Sequence, residues 1–287
     1  MLATLRTNWP MYLCEAAGLG LFMIVAAVGG VLLFHPASAV VAALPAPELR
    51  LWAMGLTMGL TAVLLIGSPL GKRSGAHMNP ATTVTFWRLG KVAGADVFGY
   101  VVAQLLGGIA GVCIAYWLLG DALAVPEVAF VKTVPGPEGA AVAFGTEFGM
   151  TFVLMSVVLR VSQSRRFNHL TALAAGTLVT LYIGLLAPLS GMSLNPARTI
   201  ASAVFAGDAT ALWVYLLAPF LGMGLAAELF VRGRGLRSVL CAKLHHGGAH
   251  RCIFRCSFGM AATQPTCRQT SIAGAPALNP WTTTTSS

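Results

Sequence analysis

Two short stretches carry side chains whose types and spacing suit them to hold oxygen atoms and repel cations. Residues 75–83 read Gly-Ala-His-Met-Asn-Pro-Ala-Thr-Thr, and residues 191–199 read Gly-Met-Ser-Leu-Asn-Pro-Ala-Arg-Thr, an offset of 116. Proline is favoured at the first helical position, because the N–H it lacks would be unbonded there anyway. Asparagine just before it is a strong N-cap. Asn79-Pro80-Ala81 and Asn195-Pro196-Ala197 therefore each predict the cap and first turn of a helix. One such turn would only start an ordinary helix. Two copies after matching glycine loops imply one device used twice. Each N-terminus brings roughly half a positive charge, each Asn amide is a donor, and the carbonyls of residues 75–78 and 191–194 supply acceptors along a path.

The elements that must hold these turns are set by composition. Hydrophobic residues make up 56% of the 287-residue chain and charged ones 9%, with mean hydropathy +0.77. A soluble domain carries about 25% charged residues, so the surrounding solvent is lipid. Six stretches meet the requirement of about 20 apolar residues for a spanning helix: 11–34, 51–69, 95–118, 140–160, 170–188 and 210–231. Two more, 79–88 and 195–205, are half that length and start at the Asn-Pro pairs. The expected fold is an all-α membrane protein of six transmembrane helices and two re-entrant half-helices. Three spans per repeat, over about 11–118 and 140–231, force the second repeat to enter from the opposite face. That makes an inverted repeat, with the half-helices meeting near the midplane. Irregular backbone at that depth must be buried in protein or line a wet cavity.

Charge placement orients the chain. Lys72, Arg73, Arg88 and Lys91 lie between spans two and three, and Arg160, Arg165 and Arg166 between four and five. By the positive-inside rule both termini are cytoplasmic. Residues 1–231 hold 11 Lys/Arg against 9 acids, whereas 232–287 hold 7 Lys/Arg and no acid. The basic excess in a tail after a hydrophobic body points to a membrane surface, not to nucleic acid. The tail, with its Thr/Ser-rich end, reads as disordered. Cys241, Cys252, Cys256 and Cys267 share it with His245, His246 and His250, but the spacing matches no zinc pattern, so neither metal nor cofactor is expected. Cys14 and Cys113 read as small packing residues. The first apolar stretch exceeds a signal-peptide core and is expected to be retained. No carboxylate–histidine cluster or phosphate loop suggests an enzyme. Gly55/Gly59, Gly107/Gly111 and Gly145/Gly149 are each four apart, as in close helix packing within lipid.

The paired Asn-Pro-Ala boxes with Arg198 directly after the second, Ser74–Ala81, Tyr100–Gln104 and Tyr215–Pro219 together resemble the major intrinsic proteins, the aquaporins and glycerol facilitators, over about residues 10–231. The resemblance implies a channel for passive, proton-excluding passage of water and other small neutral solutes. It also implies a homotetramer with one pore per subunit in the cell membrane. Glu15 and Glu147, in the first and fourth spans, would then accept hydrogen bonds from the re-entrant loops, with His77 fixing its loop and Gln104 making a buried interhelical bond. Arg198 would exclude protons and cations at a constriction, and counting back from the Asn residues puts Gly59, Ile183 and Met192 beside it, with Met54 or Gly55 in place of Gly59 where a loop insertion shifts the count. That set departs from both branches: water channels place a His and an aromatic there, and glycerol facilitators two aromatics. Thr199 and Ala203 favour water, with a glycerol-type facilitator as the alternative. A secondary transporter with broken helices is the rival from another class.

Overall fold

A computed structural model describes residues 1–246 and 251–258. Among the described residues six helices are long and apolar enough to cross a membrane. These are α1 (Leu2–Phe34), α3 (Pro47–Gly67), α6 (Gly94–Leu119), α7 (Ala140–Ser162), α8 (Thr171–Ser190) and α10 (Leu212–Arg234). Two short helices, α2 (Ala39–Ala43) and α4 (Pro69–Ser74), fill connections. The half-helices are α5 (Pro80–Arg88) and α9 (Pro196–Ala206). At 1.5 Å per residue they run about 14 and 16 Å, half the thickness of a hydrocarbon core. Both start where the sequence places them. Asn79 accepts from the Ala81 N–H, and Asn195 from those of Ala197 and Arg198. The first span starts earlier than expected because its polar first turns are anchored: Asn8 Nδ2 and Tyr12 Oη donate to Asp96 Oδ1 at 2.8 and 2.7 Å.

The two repeats pack alike. Helix α1 lies against α6, α7 lies against α10, and α3 against α8 joins the halves. Each half-helix also packs on the last span of the other repeat, α9 on α6 and α5 on α10. Glycines set the closest approaches. A Cβ on Gly107 would lie 2.2 Å from Ala16 O, and one on Gly111 would lie 2.4 Å from Gly20 O. Gly145 and Gly149 differ from their expected role, since a Cβ on either meets nothing within 4 Å. Cys14 is buried as expected, but Cys113 is exposed on the outer face of α6. Large apolar side chains such as Leu64, Leu106 and Trp117 also point outward, as a lipid-facing surface requires.

The described part of the tail, 232–246 and 251–258, differs from the expected disorder. Beyond α10, Val239, Cys241, Ala242, Leu244 and Phe254 are all buried. Their backbone is bonded too, which removes the reason for disorder: Leu240 and Cys241 N–H donate to Gln163 Oε1, and Leu244 N–H donates to Gly75 O. Apolar periodicity is absent because these residues form no helix or strand and are buried in irregular backbone against the first re-entrant loop and Gln163. His250, Cys267 and the Thr/Ser-rich end lie outside the described residues.

Candidate functional site

The two Asn-Pro-Ala turns meet. Asn79 Nδ2 donates to Leu194 O at 2.8 Å, and Asn195 Nδ2 donates to Met78 O at 2.7 Å. Each amide thus bonds the carbonyl just before the opposite Asn, so the positive ends of α5 and α9 face each other. The loops leading in share one strained backbone. Gly75, Ala76 and Met78 have positive φ, and so do Gly191, Met192 and Leu194. L-residues adopt that region at a cost and persist there only when their surroundings fix them.

Two buried carboxylates do the fixing. Glu15 Oε1 accepts from Ser74 Oγ (2.6 Å) and His77 N (3.0 Å), while Oε2 accepts from Met78 N (2.5 Å) and Gln104 Nε2 (2.8 Å). Glu147 Oε1 accepts from Ser190 Oγ (2.9 Å) and Ser193 N (2.7 Å), while Oε2 accepts from Leu194 N (2.8 Å). A buried charge is costly unless its lone pairs are filled; here they are filled by loop N–H groups that would themselves be orphaned. Tyr100 and Tyr215 complete each brace, their hydroxyls donating to Ser74 O and Ser190 O. The sequence reading picks out the glutamates and misses the serines and tyrosines as a set. Their signal is the repeated Ser-Gly at 74–75 and 190–191.

Beyond these shared parts the loops diverge. His77 is buried, with Nδ1 3.1 Å from Thr83 Oγ1 and Nε2 2.8 Å from Ala242 O, its ring between Phe86 and Phe254. It braces the loop. In the second loop Ser193 instead meets Thr199, which bonds Thr133 of the α6–α7 connection at 2.9 Å. That connection is tethered by Lys132 to Asp208 at 2.6 Å. Lys132 holds the Asp208 carboxyl well below the usual carboxylate range by hydrogen bonding.

A cavity of about 370 Å³ runs through the meeting point. Its walls include Leu51 and Ile66 from opposite ends of α3, which at 1.5 Å per residue are about 22 Å apart. Asn79 and Asn195 line its middle. Arg198, Ile183 and Met192 line it on one side of them, and Ala76, His77 and Leu244 on the other. Arg198 Nη1 is buried without a protein hydrogen-bond partner among the described residues. Of the carbonyls read as path acceptors, those of Met78 and Leu194 serve the Asn amides and that of Gly75 receives Leu244.

Gly59 is not part of this wall. A Cβ there would lie 2.5 Å from Gly176 O and 2.1 Å from Thr180 Oγ1, so it is the contact that lets α3 and α8 touch. Two α3 side chains, Met54 and Met58, line the cavity and share a buried cluster with Ile183 and Met192, and Met54 is the one nearer the outer end of α3 that Leu51 marks. Counting along a sequence cannot tell which face of α3 turns inward, and the loop before α5 shifts the register. The tail histidines and cysteines also behave unlike their spacing: the ligand atoms of Cys241, His246, Cys252 and Cys256 lie within 4.8 Å of one another.

Known proteins resemble this chain in both sequence and shape. The family model for the major intrinsic protein matches residues 3–230. Aquaporin NIP1-2 of Arabidopsis thaliana is 34% identical over 154 residues, covering 52% of each chain. Aquaporin Z of Photorhabdus laumondii is 29% identical over 187 residues, 60% of this chain and 78% of its own. The chain thus spans about half the length of the plant relative it matches. The X-ray structure of the aquaglyceroporin from Plasmodium falciparum aligns with a TM-score of 0.65 over 77% of this chain and 94% of that one; at 22% identity it speaks for the fold alone. Two crossed Asn-Pro-Ala turns at the centre of six spanning helices, together with this match, mean that the chain belongs to the major intrinsic protein family.

Proposed function

We propose that the chain is a passive channel for water and other small neutral solutes, with the cavity between the half-helices as its path. One observation carries this reading: the electropositive ends of α5 and α9 meet in the wall of a cavity that runs along α3. A cation at that point faces two half-positive ends, whereas a neutral oxygen finds amide donors; the cavity's one acidic lining residue among the described residues, Glu127, belongs to the α6–α7 connection and not to either Asn-Pro-Ala turn. Each Asn amide uses one hydrogen on a carbonyl and keeps the other for the permeant. Arg198, with an unpartnered Nη1 beside the cavity, adds a fixed cation that raises the barrier to protons and metal ions.

Met54, Ile183, Met192 and Arg198 form the constriction in this reading. Three of the four offer no strong hydrogen bond, which favours permeants that need only Arg198 and backbone carbonyls. Both termini lie in the cytoplasm of a cell whose plasma membrane holds the channel as a homotetramer, following the lysine and arginine placement and the family resemblance. A transporter coupled to protons would need a free carboxylate at the break. Glu15 and Glu147 are instead occupied by loop donors.

Osmotic shrinkage of proteoliposomes followed by light scattering tests the reading. A channel speeds shrinkage in sucrose with a low activation energy and no ion requirement, and re-swelling in glycerol and urea sorts the permeants. Flux that saturates and follows an ion gradient would replace the channel with a carrier.

A further inference from the structure

The tail of this chain folds against the first re-entrant loop in two short segments. In the first, Lys243 Nζ donates to Lys72 O at 2.8 Å, Leu244 N–H to Gly75 O at 3.0 Å, and Ala242 O meets His77 Nε2. In the second, Phe254 stacks on His77 with centroids 5.4 Å apart, and Arg255 N–H donates to Lys91 O at 3.0 Å. Leu244 thereby stands in the cavity wall at the end where Ala76 and His77 lie. Neither segment has a helix or sheet to hold it, so some other link must offset the entropy of ordering them.

The side chains between the segments provide that link. Cys241 Sγ lies 3.6 Å from Cys252 Sγ, and His246 Nε2 lies 3.1 Å from Cys256 Sγ. All four ligand atoms fall within 4.8 Å of one another. In a tetrahedral zinc site with Zn–S of about 2.3 Å, neighbouring sulfurs sit about 3.8 Å apart. A disulfide would need about 2.05 Å. Three thiolates and one imidazole are a soft donor set that suits Zn²⁺. Three thiolates around a divalent ion leave one excess negative charge. Lys243, Arg251 and Arg255 stand within two positions of a ligand in the sequence and more than offset it. The His246 ring is held by stacking on Phe258 at 4.3 Å.

We propose that Cys241, His246, Cys252 and Cys256 bind a Zn²⁺ ion, and that this ion pins the tail over one end of the cavity as a metal-dependent cover. The site stands on the cluster alone; the cover rests on the channel reading above. Full-length protein purified under reducing conditions should carry about one zinc per chain and give tetrahedral thiolate absorption when loaded with Co²⁺. Cys252→Ser should lower the zinc to below about a tenth per chain, while Cys113→Ser on the outer face of α6 should leave it unchanged. Zinc content unaffected by Cys252→Ser, or a Cys241–Cys252 disulfide in unreduced peptides, overturns the site. Flux then tests the cover. Stripping wild-type proteoliposomes with a membrane-permeant chelator should raise water flux about two-fold or more, and reloading Zn²⁺ should reverse it. Flux indifferent to the metal overturns the cover. Strip-and-reload needs no variant to fold, and absence of flux in every state would count against the channel and not against the zinc site.

Discussion

The first and second re-entrant loops are alike where lipid physics constrains them and unlike where they meet the rest of the chain. Each has a buried glutamate accepting two loop N–H groups, a serine on that glutamate, a tyrosine on the serine carbonyl, and left-handed residues at matching places. Those parts answer one problem, irregular backbone that water cannot serve, and the answer is used twice. The differences lie outward. The residue after the first Asn-Pro-Ala is Thr82, bonded to Met223 Sδ at 3.6 Å; after the second it is Arg198, with an unpartnered nitrogen. The first loop is buttressed by Gln104, aromatic rings and the tail, and the second by Thr133 and a surface ion pair. Repetition marks structure here, and the break in it falls at the arginine of the proposed filter.

The strongest way to break this comparison is to remove the braces. Glu15→Ala leaves two loop N–H groups, a serine and Gln104 without their acceptor. With hydrogen bonds to charged groups worth about 1.5–3 kcal/mol, it should destabilise the protein by at least about 3 kcal/mol in detergent thermal unfolding. Glu147→Ala frees one donor fewer and should cost somewhat less. The reverse order would mean that the first loop is held by the tail and not by its glutamate.

Next comes the residue that breaks the repeat. Arg198→Thr makes the two boxes read alike and should raise proton leak at least about ten-fold, equivalent to about 1.4 kcal/mol of barrier, with neutral-solute flux retained. A pH-sensitive dye inside proteoliposomes reads the leak. No change would take Arg198 out of the filter. A smaller effect is expected from the tyrosines: Tyr100→Phe and Tyr215→Phe each remove one hydrogen bond and should cost about 1 kcal/mol apiece in the same unfolding measurement. A much larger loss at Tyr100, whose ring also neighbours His77 and Phe254, would show that packing outweighs the shared bond.

What the sequence made legible follows the same division. Spans, half-helices, caps and both glutamates are local or repeated signals, and all were readable. Residues whose role depends on which face of a helix turns inward, or on a distant segment folding back, carry no such signal. Gly59 was misplaced because only the α3–α8 contact decides which face of α3 turns inward. A longer loop before α5 moves the count to Met54 or Gly55, and the cavity lining contains Met54. The tail looked disordered because its burial depends on Gly75, His77 and Gln163, which lie 77 or more residues away. Four ligands with irregular spacing carry no pattern until the chain folds.

The finest test concerns the ion pair beyond α9, which ties the second half-helix to the α6–α7 connection, whereas Arg88 at the end of α5 pairs with Glu228 of α10. The Lys132 ammonium donates to Asp208 Oδ2 at 2.6 Å and favours the charged carboxylate, so the folded-state pKa lies below the unfolded one. A depressed acid stabilises fully above its unfolded value, about 3.9, and loses that contribution as pH falls through the lower folded value. Wild type and Asp208→Asn should therefore differ by a constant amount between about pH 5 and 8, and the gap should close below about pH 4. The pair is partly exposed, so the gap should also shrink with added salt. A difference that grew on acidification would mean that Asp208 is protonated in the folded protein, leaving the outer flank of the second loop without its charged tether to the α6–α7 connection.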